Sequence, residues 1–69
     1  MRQDSNLDKL GKRVKEIRLS KGLTQLEIAD KFGSSESTIS RLEKGQYNPS
    51  YLWLVKLCTA MDIEMKELF

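Results

Sequence analysis

No histidine occurs in this chain, and cysteine occurs once, at Cys58. These absences exclude a disulfide framework and a Cys/His zinc site, and no metal is implied. Histidine-based acid–base catalysis is excluded with them. Ser34, Ser35, Ser37 and Ser40 lack a neighbouring base, and there is no nucleophile elbow and no phosphate-cradling glycine loop. The residues therefore argue against an enzyme and imply no cofactor. No apolar run approaches the length of a membrane span or a signal-peptide core, so the expectation is a cytoplasmic protein with no membrane partner. Charge of one sign is also scarce. Lys+Arg number 12 against 10 Asp+Glu, a formal net charge of +2. The distribution is less even, because residues 1–23 hold seven basic and three acidic side chains. Such a bias could steer a polyanion. It is equally the pattern of a solvated helix face.

With 69 residues the chain forms one domain at most. Domains this small bury only roughly 60% of the surface their unfolded chains expose. So small a core leaves little room for a pocket, and no small-molecule ligand is evident. Cys58 lies in an apolar run and reads as a small buried hydrophobe. A reactive thiol is the alternative, with Lys56 the only cation close in sequence.

What is present is helical periodicity throughout, with no strand pattern. Residues 1–6 read as a flexible arm and residues 7–69 as the domain. Ser5-Asn6-Leu7-Asp8 gives an S-x-x-D start signal, and Leu7, Leu10, Val14 and Ile17 form one stripe of a helix over about 7–21, stopped by Gly22. Thr24-Gln25-Leu26-Glu27 is a capping box, with Leu23 and Ile28 at the spacing of a hydrophobic staple. Ile28, Ala29 and Phe32 make the buried face of this second helix, and Gly33 ends it. Ser35 is the expected N-cap of a third helix over about 36–43, with Ile39 and Leu42 inward and Gly45 terminating it. Ser50 can cap a fourth helix, 51–61, striped by Leu54, Leu57, Cys58 and Met61. A last short helix, 65–69, would return Met65, Leu68 and Phe69 to the core. Tyr51 is expected in the core as well. Trp53, off the main stripe, is either a rim residue packed on its neighbours or a dimer contact.

Residues 24–44 form one unit of short helix, tight turn and second helix. Ala29 is small where two helices must approach closely, and Gly33 tolerates the positive φ of the turn. The spacing from Ala29 to Gly33 to Ile39 is that of the DNA-binding helix-turn-helix. The outer face of the second helix, Glu36, Ser37, Ser40, Arg41 and Lys44, has no large apolar residue. Such a face suits a major groove, which admits one helix and displays donors and acceptors. The bland alternative is an ordinary solvated face.

Four runs carry a family resemblance: residues 13–18 (RVKEIR), 22–29 (GLTQLEIA), 37–45 (STISRLEKG) and 48–50 (NPS). Over about residues 7–69 the chain resembles the phage repressor/Cro, or XRE, family of transcriptional regulators. The resemblance implies an all-α, compact five-helix lambda-repressor-like domain. It also implies a homodimer on a double-stranded DNA operator, with a repressor role. It places Glu36, Ser37 and Arg41 at base edges. Ser40 and Thr38 would lie at the groove wall, near phosphate or thymine methyls. Gln25 would bind a phosphate and buttress the reading helix, while Lys44, Gln46 and Asn48 would touch the DNA backbone. Arg18 and Glu43 match a structural ion pair, although Arg18 could instead meet a phosphate.

Two positions depart from the family pattern. Glu36 stands where glutamine is common, and its carboxylate can accept from cytosine N4 or simply favour the helix N-terminus. Glu64 replaces a small capping residue before the last helix. The rival function is an antitoxin-type or other protein-interaction domain in which DNA binding is secondary. Such an antitoxin would be expected to carry a toxin-wrapping extension after Phe69.

Overall fold

A computed structural model describes residues 5–69. Four α-helices follow one another: α1 (Ser5–Ser20), α2 (Gln25–Phe32), α3 (Glu36–Glu43) and α4 (Tyr51–Met61). A 3-10 helix, Met65–Leu68, forms the fifth helical element. No strand occurs among the described residues. The start of α1 at Ser5 absorbs the last two residues of the expected arm, and residues 1–4 lie outside the described residues. Ser5 is thus within the helix, and the S-x-x-D signal lies inside its first turn.

The core is assembled from the apolar stripes of all five elements. Val14 of α1, Ile28 of α2, Ile39 and Leu42 of α3, and Leu57 and Met61 of α4 are fully buried. α3 lies between α1 and α2, α4 packs on α2, and the terminal turn bridges α1 and α4 through buried Leu68. Leu23, Phe32, Tyr47, Trp53, Ile63 and Met65 close the margins of this core.

Local chemistry sets the helix boundaries. Thr24 Oγ1 accepts from Glu27 N at 3.0 Å, and Glu27 Oε1 accepts from Thr24 N at 2.8 Å. The backbone N–H and hydroxyl of Thr24 hold the Glu27 carboxyl below its ordinary value. The folded state therefore binds this proton more weakly than the unfolded chain does. The stabilisation is present above the ordinary glutamate range and is lost as pH falls through it. Thermal melts should show Glu27→Gln less stable than the parent at neutral pH, with the gap closing in acid, below the ordinary glutamate range. A gap that persists in acid would mean that the carboxylate charge contributes nothing. At the other end of α2, Gly33 takes φ 73°, and the N–H groups of Gly33 and Ser34 both return to the Ala29 carbonyl. This left-handed cap turns the chain within three residues into Ser35, the N-cap of α3.

Gly11 was silent in the sequence, yet it sets how closely α1 meets α3. It is buried, and a Cβ there would overlap the carbonyl oxygens of Leu42 and Glu43, the latter at 2.8 Å. Because both obstacles are backbone, neither can rotate away. Gly11→Ala gains about 1 kcal/mol of helix propensity. Overpacking costs about 1–3 kcal/mol and should prevail, giving a lower urea midpoint. A raised midpoint would show that the two helices can separate without loss.

Two expectations need correction. Tyr51, expected in the core, is 73% exposed. It is the first residue of α4, one turn before Leu54, the first buried residue of that helix, so it lies beyond the end of the core. Phe69 is 79% exposed, because the 3-10 turn has already used Leu68 to close the core. The expected last short helix is present as the 3-10 helix Met65–Leu68. Glu67 Oε2 accepts from Glu64 N at 3.0 Å and secures the start of that helix.

Candidate nucleic-acid interface

α3 is amphipathic in the sense that an exposed reading helix requires. Ile39 and Leu42 are fully buried beneath it. On the opposite side Glu36, Ser37, Arg41 and Lys44 are exposed, with Ser40 and Thr38 at the margin. The polar face projects away from the protein.

Beneath the C-terminal end of α3 lies a charged anchor. Arg18 Nε donates to Glu43 Oε2 at 2.7 Å, and Arg18 Nη2 donates to Glu43 Oε1 at 3.0 Å. The third arm of the guanidinium, Nη1, donates to the Leu23 carbonyl at 2.9 Å. Gln25 Nε2 completes the cluster by donating to Glu43 Oε1 at 3.1 Å. The two charged side chains are only 9% and 4% exposed. One carboxylate on α3 is thereby tied to α1 and to the first residue of α2, and Arg18 extends the cluster to the loop after α1. Such bidentate, charge-assisted contacts fix orientation as well as distance. Arg18 is spent on this anchor and is not presented to solvent. Gln25 likewise turns its amide inward, while its place at the start of α2 keeps backbone N–H groups at a helix N-terminus.

The N-terminal end of α3 is held by its cap. Ser35 Oγ accepts from Thr38 N at 3.2 Å and lies 2.8 Å from Thr38 Oγ1 and 3.1 Å from Ser37 Oγ. The Ser37 and Thr38 hydroxyls both turn back towards that cap. Glu36, in the first turn, is exposed beside the positive end of the helix dipole.

After α3 the chain turns at Gly45, with φ 74°, packed against Asp8 of α1. Gln46 and Asn48, in the loop that follows, are exposed, as is Lys44. Tyr47, between them, points the other way and is half-buried against the core. The Arg41 guanidinium sits over its ring, 5.8 Å from the centroid. Tyr47 lies in the loop between α3 and α4, where no sequence motif marks it. The available signal was an aromatic residue inside an otherwise polar turn.

The N-terminal charge bias is partly neutralised inside the fold. Besides Arg18, Arg13 is engaged, donating to the Glu67 carbonyl at 2.8 Å and lying 3.5 Å from Glu16. Arg2 lies outside the described residues. Cys58 is buried with its Sγ 3.5 Å from Met65 Sδ, and burial, aided by Glu67, pushes the thiol up. This is an inert core cysteine rather than a reactive one. Trp53 is half-buried within its own chain, edge-on to both Phe32 and Tyr47. Among the described residues no helix is long and apolar enough to cross a membrane, and no cluster of three or more acidic, cysteine or histidine side chains could hold a metal ion.

A short helix, a glycine turn and a second helix with its hydrophilic side outward define the helix-turn-helix class of DNA-binding domains. The Helix-turn-helix family profile matches residues 14–68. The immunity repressor protein of Bacillus phage phi105 is 36% identical over 56 residues, covering 81% of this chain and 39% of the repressor. The restriction-modification controller protein C.AhdI from Aeromonas hydrophila superposes with a TM-score of 0.92 at 42% identity, covering 96% of this chain and all of that one. A second controller, C.Esp1396I, solved as a tetramer in complex with its natural 35 base-pair operator, superposes with a TM-score of 0.88 at 27% identity, covering 97% of this chain and 88% of that one. The chain belongs to the helix-turn-helix family, of the phage repressor/Cro (XRE) type. It is a DNA-binding transcriptional regulator.

Proposed function

We propose that this protein is a sequence-specific repressor that binds a double-stranded DNA operator as a homodimer in the cytoplasm, with α3 in the major groove. The observation that carries the reading is the pairing of an outward polar face on α3 with the buried Arg18–Glu43–Gln25 anchor beneath it. A rigidly held helix presents its donors and acceptors in one register. A mobile one would read nothing.

In this reading Glu36, Ser37, Ser40 and Arg41 meet base edges. Arg41 can donate two bonds to guanine O6 and N7, and Glu36 can accept from cytosine N4. Gln25, Thr38, Lys44, Gln46 and Asn48 meet phosphates on either side and fix the register. Gln25 combines that role with its bond to Glu43, using backbone N–H groups at the start of α2 to attract an anion. Repression follows where the operator overlaps a promoter, because the bound dimer occupies the duplex. The solved operator complex of a controller and the phage immunity repressor support the operator and repressor parts of this reading.

Selection of bound sequences from random duplex DNA tests the whole assignment. The expected product is a two-fold symmetric site whose half-sites lie about one helical turn apart. Affinity for it should fall steeply with salt through counterion release. Enrichment of no motif, together with no binding at low salt, would overturn the reading.

A further inference from the structure

The side chain assigned the main burden of discrimination, Arg41, is exposed, long and flexible. An unrestrained arginine at that position would sample many rotamers before reaching a base. Among the described residues, the contact the structure gives its guanidinium is the face of Tyr47, at 5.8 Å from the ring centroid. That ring is not itself free. It meets Trp53 of α4 in a T-shaped contact, with centroids 5.2 Å apart and planes at 61°. Trp53 in turn meets Phe32 of α2, with centroids 5.3 Å apart and planes at 72°. Both contacts fall in the edge-to-face geometry that aromatic pairs prefer. All three rings pack against the margin of the buried core. A continuous row therefore runs from the end of α2, through α4 and the loop after α3, to the guanidinium on the outer face of α3.

We propose that Tyr47 is a positioning residue for base discrimination: its ring, fixed by Trp53 and through it by Phe32, holds the Arg41 guanidinium in the orientation in which it meets a base edge. The proposal rests on the reading of Arg41 as a base contact. A cation above an aromatic face is attracted by the negative π surface, and a planar guanidinium can stack there while its N–H edge points outward. Stacking leaves those in-plane donors available for a bidentate acceptor, whereas an ion pair would consume them. Tyr47 thus does for the side chain what Glu43 does for the helix. One fixes where the backbone of α3 sits, and the other narrows where its longest reading side chain points. The tyrosine hydroxyl has no part in this, so phenylalanine should serve as well.

The test uses the selected operator and a set of single-base-pair variants of it, with binding measured for the full chain. Arg41→Ala first identifies the base pair at which preference depends on Arg41. At that pair Tyr47→Leu should lower the affinity ratio between the preferred and substituted operators by about two- to fivefold. Ratios at the other base pairs should be unchanged, and Tyr47→Phe should retain the parental ratio. In an Arg41→Ala background, Tyr47→Leu should cost nothing further at that pair. Tyr47→Met serves in place of leucine if circular dichroism shows that Tyr47→Leu is not folded. A parental ratio in Tyr47→Leu or Tyr47→Met, or an equal loss at every base pair, overturns the positioning role while leaving the regulator reading intact. Loss in Tyr47→Phe equal to that in leucine overturns it too, because the hydroxyl would then be the active group. If Arg41→Ala shifts preference at no base pair, the base-reading role of Arg41 fails, and the Tyr47 proposal fails with it.

Discussion

Replacing Glu43 with alanine is expected to cost about 3–5 kcal/mol of folding stability, because it strands the Arg18 guanidinium inside the protein. Arg18 would keep its bond to the Leu23 carbonyl, but the two bonds to Glu43 at 2.7 and 3.0 Å would be lost. Gln25 would lose its acceptor as well. An exposed ion pair would contribute only about 0–1 kcal/mol. The difference lies in burial, since water cannot reach either partner to replace the other. Native proteins hold about 5–15 kcal/mol in total, and a 69-residue domain belongs at the low end of that range, so the variant should lose most of its stability. Urea denaturation followed by circular dichroism measures this directly, with an unchanged slope confirming a native-state effect. Removing both charges, as in Arg18→Met combined with Glu43→Leu, should recover much of the loss, because the desolvation cost disappears along with the attraction. A single-variant cost below about 1 kcal/mol would place this pair in the exposed class and remove the basis for a rigid α3.

The fold was legible where one local rule decides the outcome. The capping box at Thr24 and Glu27, the left-handed turn at Gly33 and the caps at Ser35 and Ser50 depend on residues within one turn of each other. The inward stripes of α1 to α4 follow from helical period alone. Less legible were contacts between segments distant in sequence. Gly11 looks like a weak spot in a helix until the carbonyls of Leu42 and Glu43 are set against it. The pairing of Arg18 with Glu43 came from family resemblance, since no periodicity links positions that far apart. Tyr51 was misplaced because helical period puts it in line with Leu54, Cys58 and Met61, and period does not show that the core ends one turn after the start of α4. Phe69 was misplaced because the apolar pattern runs on past Leu68, whereas the 3-10 helix ends there and leaves Phe69 outside the core. For the candidate site, the outer face of α3 could be read directly. The aromatic row that reaches Arg41 could not, because Phe32, Tyr47 and Trp53 belong to three separate segments.

Arg41 and Lys44 are both cationic and both exposed at the end of α3, yet their removal should have different consequences. Arg41→Ala should relax choice at one base pair by about 1–3 kcal/mol, the worth of a bidentate contact to guanine. Lys44→Ala should weaken every duplex alike and reduce the salt dependence of binding by about one phosphate's worth of counterion release. A third variant separates charge from shape. Arg41→Lys keeps the positive charge but loses the planar fork, and lysine cannot stack on Tyr47 as a guanidinium does. Its salt dependence should match the parent while its base preference falls towards that of Arg41→Ala. Titration of the selected operator and its single-base variants at two salt concentrations yields both quantities. If Arg41→Ala instead lowers affinity equally on all sequences, Arg41 contacts the backbone, and specificity must come from Glu36, Ser37 and Ser40. Those three are short or acidic, so discrimination would then rest on a few single hydrogen bonds and on the deformability of the duplex. The selected motif would be correspondingly degenerate.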